Sequence, residues 1–318
     1  MKFLILEDYQ KSANEESGIS REKELLMIQE CITYIQKIAK HFQVRINICG
    51  TALTIFHLYT CKHPFTEFDR QMLSTLCLHL ACKIDYHKVT YEKLIEYYYL
   101  NRKQARGKVK PFDEIKELLL EDFVDLEFKI LTCIQFDFEF DLPFKHLERF
   151  KDTYLNQFVL QNKLQHLNED KLLLSDFKNY FDLFLNLAQK FCLDSYLQSY
   201  CLYFPGAVIT AGCLLISAIM FNKMEHTVDK VSNTQMKGSE ILLQKFGIQS
   251  FLFIKVDYQD PQSQNGNAQL TYSDMVQQNH EWLNYVNKDP KPDEYLAIED
   301  VMYLKDDIIN KIIDQINL

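Results

Sequence analysis

The chain has 318 residues, of which 47% are apolar, 25% charged and 13% aromatic, the profile of a well-packed globular protein with room for two cores of ordinary size. Its formal net charge is −9, no arginine follows Arg149, and from Glu225 onward fifteen Asp/Glu outnumber eight Lys, so the second half has no surplus of cations to displace counterions from a phosphate backbone and no direct nucleic-acid partner is expected. With only 8 Gly and 7 Pro there are too few turn residues for an all-β fold, and stretches rich in Leu, Ile, Lys, Glu and Gln point to an all-α protein.

The first residues, Met1 to Ile19, carry Glu7, Asp8, Glu15 and Glu16 and do not read as a signal peptide. Helices are expected at Glu22–His41 and Asn47–Thr60. Another is expected over Phe68–Lys83, where Met72, Leu73, Leu76, Cys77, Leu80, Ala81 and Ile84 recur at spacings of three and four and Asp69 favours the first turn. A short helix fits Tyr91–Leu100. A longer one fits Asp113–Gln135, on the stripe Leu119, Phe123, Leu126, Ile130 and Ile134. Breaks fall at His63-Pro64, Gly107, Pro111 and Leu142-Pro143. The run Arg102, Lys103, Arg106, Lys108 and Lys110 reads as a basic loop, either simply solvated or in contact with an anionic group.

After Pro143 a second series begins, with helices expected at Phe144–Phe158, Lys171–Tyr200 and Pro205–Phe221, the proline at a first helical position. The apolar run Ala207–Phe221 is shorter than the ~20 residues of a membrane span; it reads as a core helix, and no membrane partner is expected. Further helices fit Thr234–Phe246 and Tyr272–Val286. The end, Asp293–Leu318, reads as an acidic amphipathic helix with Ile308, Ile309, Ile312, Ile313 and Ile316 on one stripe. Two successive bundles of about five helices suggest a duplicated domain. The expected divisions are an extension 1–21, a first domain 22–141, a second 142–292 and a terminal helix 293–318.

Nine cysteines occur without any Cys-x-x-Cys pair and sit in apolar runs, which points to buried thiols in a reduced cytoplasmic or nuclear compartment. The glycines form no G-x-G-x-x-G and no phosphate-cradling loop, and there is no His-Glu-x-x-His. No catalytic residue, cofactor or metal site is therefore expected, and the chain does not read as an enzyme. Two charges stand out inside helices that otherwise face a core. Lys83 follows Leu76 and Leu80 on one face, and Glu127 lies between Phe123 and Leu131 at spacings of four. A lone buried charge is costly, so the two either pair with each other or a partner, or snorkel to the edge.

The stretch Val44–Phe150 resembles a cyclin box of the transcription-associated group, the cyclins T, K, L, C and H. The resemblance rests on Thr51-Ala52 and His57, Phe65-Thr-Glu-Phe-Asp69, Leu80-Ala-Cys-Lys83-Ile-Asp85, and Leu126-Glu127 followed by Phe136-Asp137. Pro143-Phe144 and Tyr200-Cys-Leu-Tyr-Phe-Pro205 are similar to parts of the second repeat, so the likeness covers roughly residues 22–222. It implies two tandem five-helix cyclin-fold repeats and a regulatory subunit that binds and activates a cyclin-dependent protein kinase. The alternative is a cyclin-fold scaffold in a larger protein assembly. By the same resemblance Lys83 and Glu127 face the kinase, with Leu80, Asp85, Leu131, Phe136 and Phe138 around them. Tyr86 departs from the family's second acid, and Leu58 from the arginine usual after His57. Ile28 and Tyr34 replace residues of the substrate-docking patch of cell-cycle cyclins, which favours the transcription-type branch.

Overall fold

The computed structural model describes residues 12–106, 111–153, 170–229, 233–247 and 251. The order is α1 (Ala13–Glu16), α2 (Arg21–His41), α3 (Ile46–Thr60), α4 (Arg70–Ile84), α5 (Tyr91–Arg106), α6 (Phe112–Cys133) and α7 (Pro143–Thr153). Then come α8 (Lys171–Asp194), a 3-10 turn (Ser195–Leu197), α9 (Tyr200–Tyr203), α10 (Gly206–Lys223), strands β1 (Glu225–Asp229) and β2 (Thr234–Lys237), and α11 (Gly238–Phe246). The helical expectation thus holds. The sequence readings at Tyr272–Val286 and Asp293–Leu318 lie outside the described residues.

Local chemistry sets where the helices start. Asp69 is the residue before α4 rather than within its first turn, and its carboxylate accepts the Gln71 and Met72 backbone N–H groups at 3.0 Å each. Ser12 and Glu15 form a reciprocal cap at α1. Asp113 and Glu114 complement the positive end of α6, which follows Pro111. At the other extreme, α11 stops where Gly247 turns left-handed, at φ 69°.

Two compact units result. The first contains residues up to Phe144 and takes back the segment Leu193–Phe204 from later in the chain. At its centre α3 packs against α4, and α2 against both. Every residue of α4 from Met72 to Cys82 is buried, as is most of α3, the all-round burial expected of a central helix. His57 clasps the returning segment: its Nε2 donates to the Tyr196 carbonyl at 2.8 Å, and its Nδ1 lies 3.3 Å from Ser199 Oγ. Gly50 is small because Phe144 leaves no room; a Cβ there would stand 2.7 Å from the ring. Asn14, wholly buried, ties α1 in by donating to Glu24 and accepting the Phe65 backbone N–H at 2.7 Å.

The second unit holds Lys145–Cys192 and the chain from Pro205 onward. Its core is aromatic: Phe177 and Phe181 of α8 meet Phe251, Phe177 also meets Phe246, and Phe251 packs on Phe221 of α10 with ring centres 4.9 Å apart. Helix α10 is long and apolar enough to cross a membrane by length and composition, and 72% of it is buried within the protein, as a core helix should be.

Two sequence expectations need correction. Residues 234–237 are not the first turn of a helix but strand β2, antiparallel to β1 with Glu225 opposite Lys237. The helix begins only at Gly238, which donates to the Met224 carbonyl at 3.0 Å and where a Cβ would lie 2.0 Å from the Phe221 carbonyl oxygen. Second, Arg102 is not in a loop. Helix α5 runs past Leu100 to Arg106, and Arg102 donates to the Tyr98 hydroxyl at 2.6 Å and pairs with Asp69 at 3.7 Å. The side chains of the basic run from Lys103 to Lys110 lie outside the described residues.

Candidate partner-binding site on helices α4 and α6

Helix α4 carries Lys83 in its last turn, and α6 carries Glu127 on the edge of its buried stripe Leu119, Phe123, Leu126 and Ile130. The two helices pack together, and Lys83 Nζ meets Glu127 Oε1 at 2.5 Å. The pair is asymmetric: the lysine side chain is 54% exposed and the glutamate 14%. Pairing explains how a carboxylate is tolerated so deep in an apolar helix.

The floor beneath the pair is aromatic and polar. Lys83 Nζ sits 5.6 Å from the centre of the Tyr91 ring, in cation–π range. The Tyr91 ring lies 4.3 Å from that of His79, which is one helical turn before Lys83 and buried. On another side Tyr91 meets the Phe123 ring edge-on, at 6.1 Å. Burial first, and the Glu127 carboxylate second, hold the Tyr91 hydroxyl well above its ordinary value. Burial, with the Lys83 charge adding to it, lowers the His79 imidazole to about 3, so that ring is neutral.

Several apolar side chains at and just beyond the ends of α4 and α6 are exposed. Phe136 and Phe138 project to solvent just beyond α6, and Leu131 is half-buried on its last turns. Asp85 is the C-terminal cap of α4. Leu80 requires a correction: it is only 3% exposed, so it supports the surface from below rather than lining it. The sequence reading missed two exposed apolar side chains on α6 and took Tyr86, at the end of α4, only as a departure from the family's second acid. Val124 and Phe128 are exposed on α6, and Tyr86 is 92% exposed. A signal for Phe128 was present, since it stands off the buried stripe, where an aromatic has no core to fill.

Backbone geometry concentrates here as well. Of the five non-glycine residues with positive φ among the described residues, three lie at these helix ends: Tyr86 at 52°, and Gln135 and Phe136 at 56° each. Such conformations cost of order 1–3 kcal/mol each in bulky residues. The Phe136 N–H closes the turn on the Leu131 carbonyl at 3.0 Å, which fixes where the exposed ring emerges. The arrangement is a pre-formed surface of one ion pair and several aromatic side chains, the residue types that dominate protein interfaces. Among the described residues no three His, Cys, Asp or Glu side chains could together hold a metal ion.

Residues 1–139 match the model of the cyclin N-terminal domain. Cyclin-C1-2 of Arabidopsis thaliana is 26% identical over 203 residues, covering 64% of this chain and 67% of the relative. Cyclin-T1-2 of the same plant is 24% identical over 241 residues, covering 74% of this chain and 45% of the relative. The chain thus spans between about half and two thirds of the length of these relatives. Among solved structures, the yeast RNA Pol II CTD kinase CTDK-1 complex has a chain with a TM-score of 0.52 and 14% identity, covering 96% of this chain and 83% of that one. This is a likeness of fold.

Proposed function

The chain belongs to the cyclin family, in its transcription-associated group, and from that premise we propose that it binds and activates the catalytic subunit of a cyclin-dependent protein kinase. The observation that carries this reading is the Lys83–Glu127 ion pair, made between α4 and α6, two helices that also carry exposed aromatic side chains at and beyond their ends. Lys83, Glu127, Asp85, Leu131, Phe136 and Phe138 form the kinase-facing surface, with Leu80 beneath it. The chain does no chemistry itself. A rigid surface that fits the kinase's αC helix only in its active position shifts the kinase population toward that position, completing the Lys–Glu pair inside the kinase that phosphoryl transfer requires. The strained turn at Gln135-Phe136 supports this reading, because pre-organisation lowers the entropy lost on docking. The similarity to cyclins C and T supports a kinase that acts on the transcription machinery, and a nuclear location.

The experiment is a pull-down of co-purifying kinases identified by mass spectrometry, repeated with Glu127→Ala. Truncating one partner of an ion pair that docking buries costs ~2–5 kcal/mol, roughly 30- to 5,000-fold in affinity. The expected result is a cyclin-dependent kinase bound to the wild type and lost from the variant, with the helical circular dichroism unchanged. Equal recovery by both would instead support the scaffold reading.

A further inference from the structure

Three buried polar atoms lie close to the Lys83–Glu127 pair without a fully formed hydrogen bond: both ring nitrogens of His79, and the Tyr91 hydroxyl, which falls short of hydrogen-bond geometry although the Glu127 carboxylate is near enough to raise its pKa. Orphaned buried polar atoms are few in native proteins and costly, so three beside one ion pair call for an explanation. Neither helix propensity nor core packing supplies one. A phenylalanine at 91 and a leucine at 79 would fill the same space without stranding polar atoms.

The geometry points to Tyr91 as a positioning residue of the candidate site, its ring setting the height of the Lys83 ammonium and its hydroxyl restraining the Glu127 carboxylate. This rests on the kinase-binding reading above and deepens it. The ring is wedged between His79 at 4.3 Å and the edge of Phe123 at 6.1 Å, so it cannot swing away, and Lys83 Nζ lies 5.6 Å from its centre. Glu127 gives Oε1 to Lys83, and the Tyr91 hydroxyl lies within the influence of the same carboxylate. The oxygen that faces away from Lys83 is the one a partner's N–H would meet. A carboxylate held by Lys83 alone can rotate about its last torsion, which is broad for such groups. A hydroxyl donor below the carboxylate restricts that rotation and keeps the second oxygen outward. The Glu127 charge in turn keeps the proton on Tyr91, so the hydroxyl remains a donor. His79, neutral and tilted against the ring at 54°, lends the pocket a polar wall.

Tyr91→Phe tests this, because it keeps the ring, its contacts with His79 and Phe123 and the cation–π contact, and removes only the hydroxyl. Two measurements are made on the full chain. In the first, the side-chain carboxylate 13C resonance of Glu127, assigned by its loss in Glu127→Gln, is compared between wild type and Tyr91→Phe at pH 7. It is expected to move; an unchanged resonance overturns the proposal whether or not a kinase binds. In the second, kinase affinity is measured for Tyr91→Phe, Glu127→Gln and the double variant. A loss of about tenfold is expected for Tyr91→Phe, the size of one hydrogen bond's contribution, with no further loss when it is added to Glu127→Gln and an unchanged unfolding midpoint. Equal, additive losses overturn the proposal, since a hydroxyl acting only on stability would not depend on residue 127. If the wild type binds no kinase, the functional reading fails, and the carboxylate resonance alone decides the role of Tyr91.

Discussion

His57 makes the protein's stability depend on pH in a way the structure lets one compute. Its ring is fully buried on α3; Nε2 faces the Tyr196 carbonyl at 2.8 Å and must carry the proton, while Nδ1, 3.3 Å from Ser199 Oγ, accepts. The neutral ring therefore satisfies both neighbours. A second proton would strand a charge in the core, and burial lowers the group from 6.5 to about 4. The unfolded chain takes up its proton near 6.5 and the folded one only near 4, so between those values the unfolded state binds more protons. Stability is complete above 6.5 and is lost as pH falls toward 4. At ~1.4 kcal/mol per pH unit, His57 accounts for about 2 kcal/mol of loss between pH 7 and pH 5. His79 titrates in the same direction, toward about 3, but is common to wild type and variant and cancels in their difference. The assay is urea unfolding followed by far-UV circular dichroism at both pH values, for wild type and His57→Gln. Glutamine can still donate to Tyr196, costs about 1 kcal/mol at pH 7, and has nothing to titrate, so its drop on acidification should be smaller by about 2 kcal/mol. An identical drop in both proteins would refute the assignment of His57 as a buried neutral donor.

Gly238→Ala should lower the melting temperature markedly, by 1–3 kcal/mol or more in stability, because its Cβ would meet the Phe221 backbone rather than a side chain that can move; differential scanning calorimetry reads this. Asn14→Ala should cost about 2 kcal/mol by leaving the buried Phe65 N–H unpaired, seen as a lower urea midpoint and faster hydrogen exchange at Phe65. Tyr86→Gly should leave stability unchanged or raise it by about 1 kcal/mol, since it relieves a left-handed backbone, yet weaken kinase binding through the lost aromatic contact.

Much of the first unit was legible in the sequence because its helices combine a clean periodicity with sharp stops. Helix α4 is an example: the stripe through Met72, Leu76 and Leu80 marks the buried face, and Asp69 marks the start. The same stripe already implied that Leu80 is core, and only the family resemblance drew it to the surface. Lys83 and Glu127 stood out because a charge amid apolar helix neighbours demands a partner. Residues 234–237 were misread because a four-residue strand carries too little alternation to compete with an adjacent helical period, and its pairing depends on residues around 225–229. The extension of α5 past Leu100 is supported by the tertiary pairing of Arg102 with Asp69, which no local window contains, beside its i,i+4 bond to Tyr98. Likewise, the return of Leu193–Phe204 to the first unit depends on His57 reaching a carbonyl 139 positions away. The exposed Tyr86 and Phe128, and the polar floor of His79 and Tyr91, emerge only once α4, α5 and α6 are set side by side.

The central claim is that this chain switches on a kinase through the surface around Glu127, and reconstitution tests it most directly. A cyclin-dependent kinase recovered in the pull-down is prepared alone, and its phosphoryl transfer to a peptide substrate is timed with and without added chain. The account predicts a large rise in rate with the wild type, saturating at one chain per kinase, and little or none with Glu127→Ala at the same concentration. Tight binding with no change in rate, or equal activation by both proteins, would contradict it.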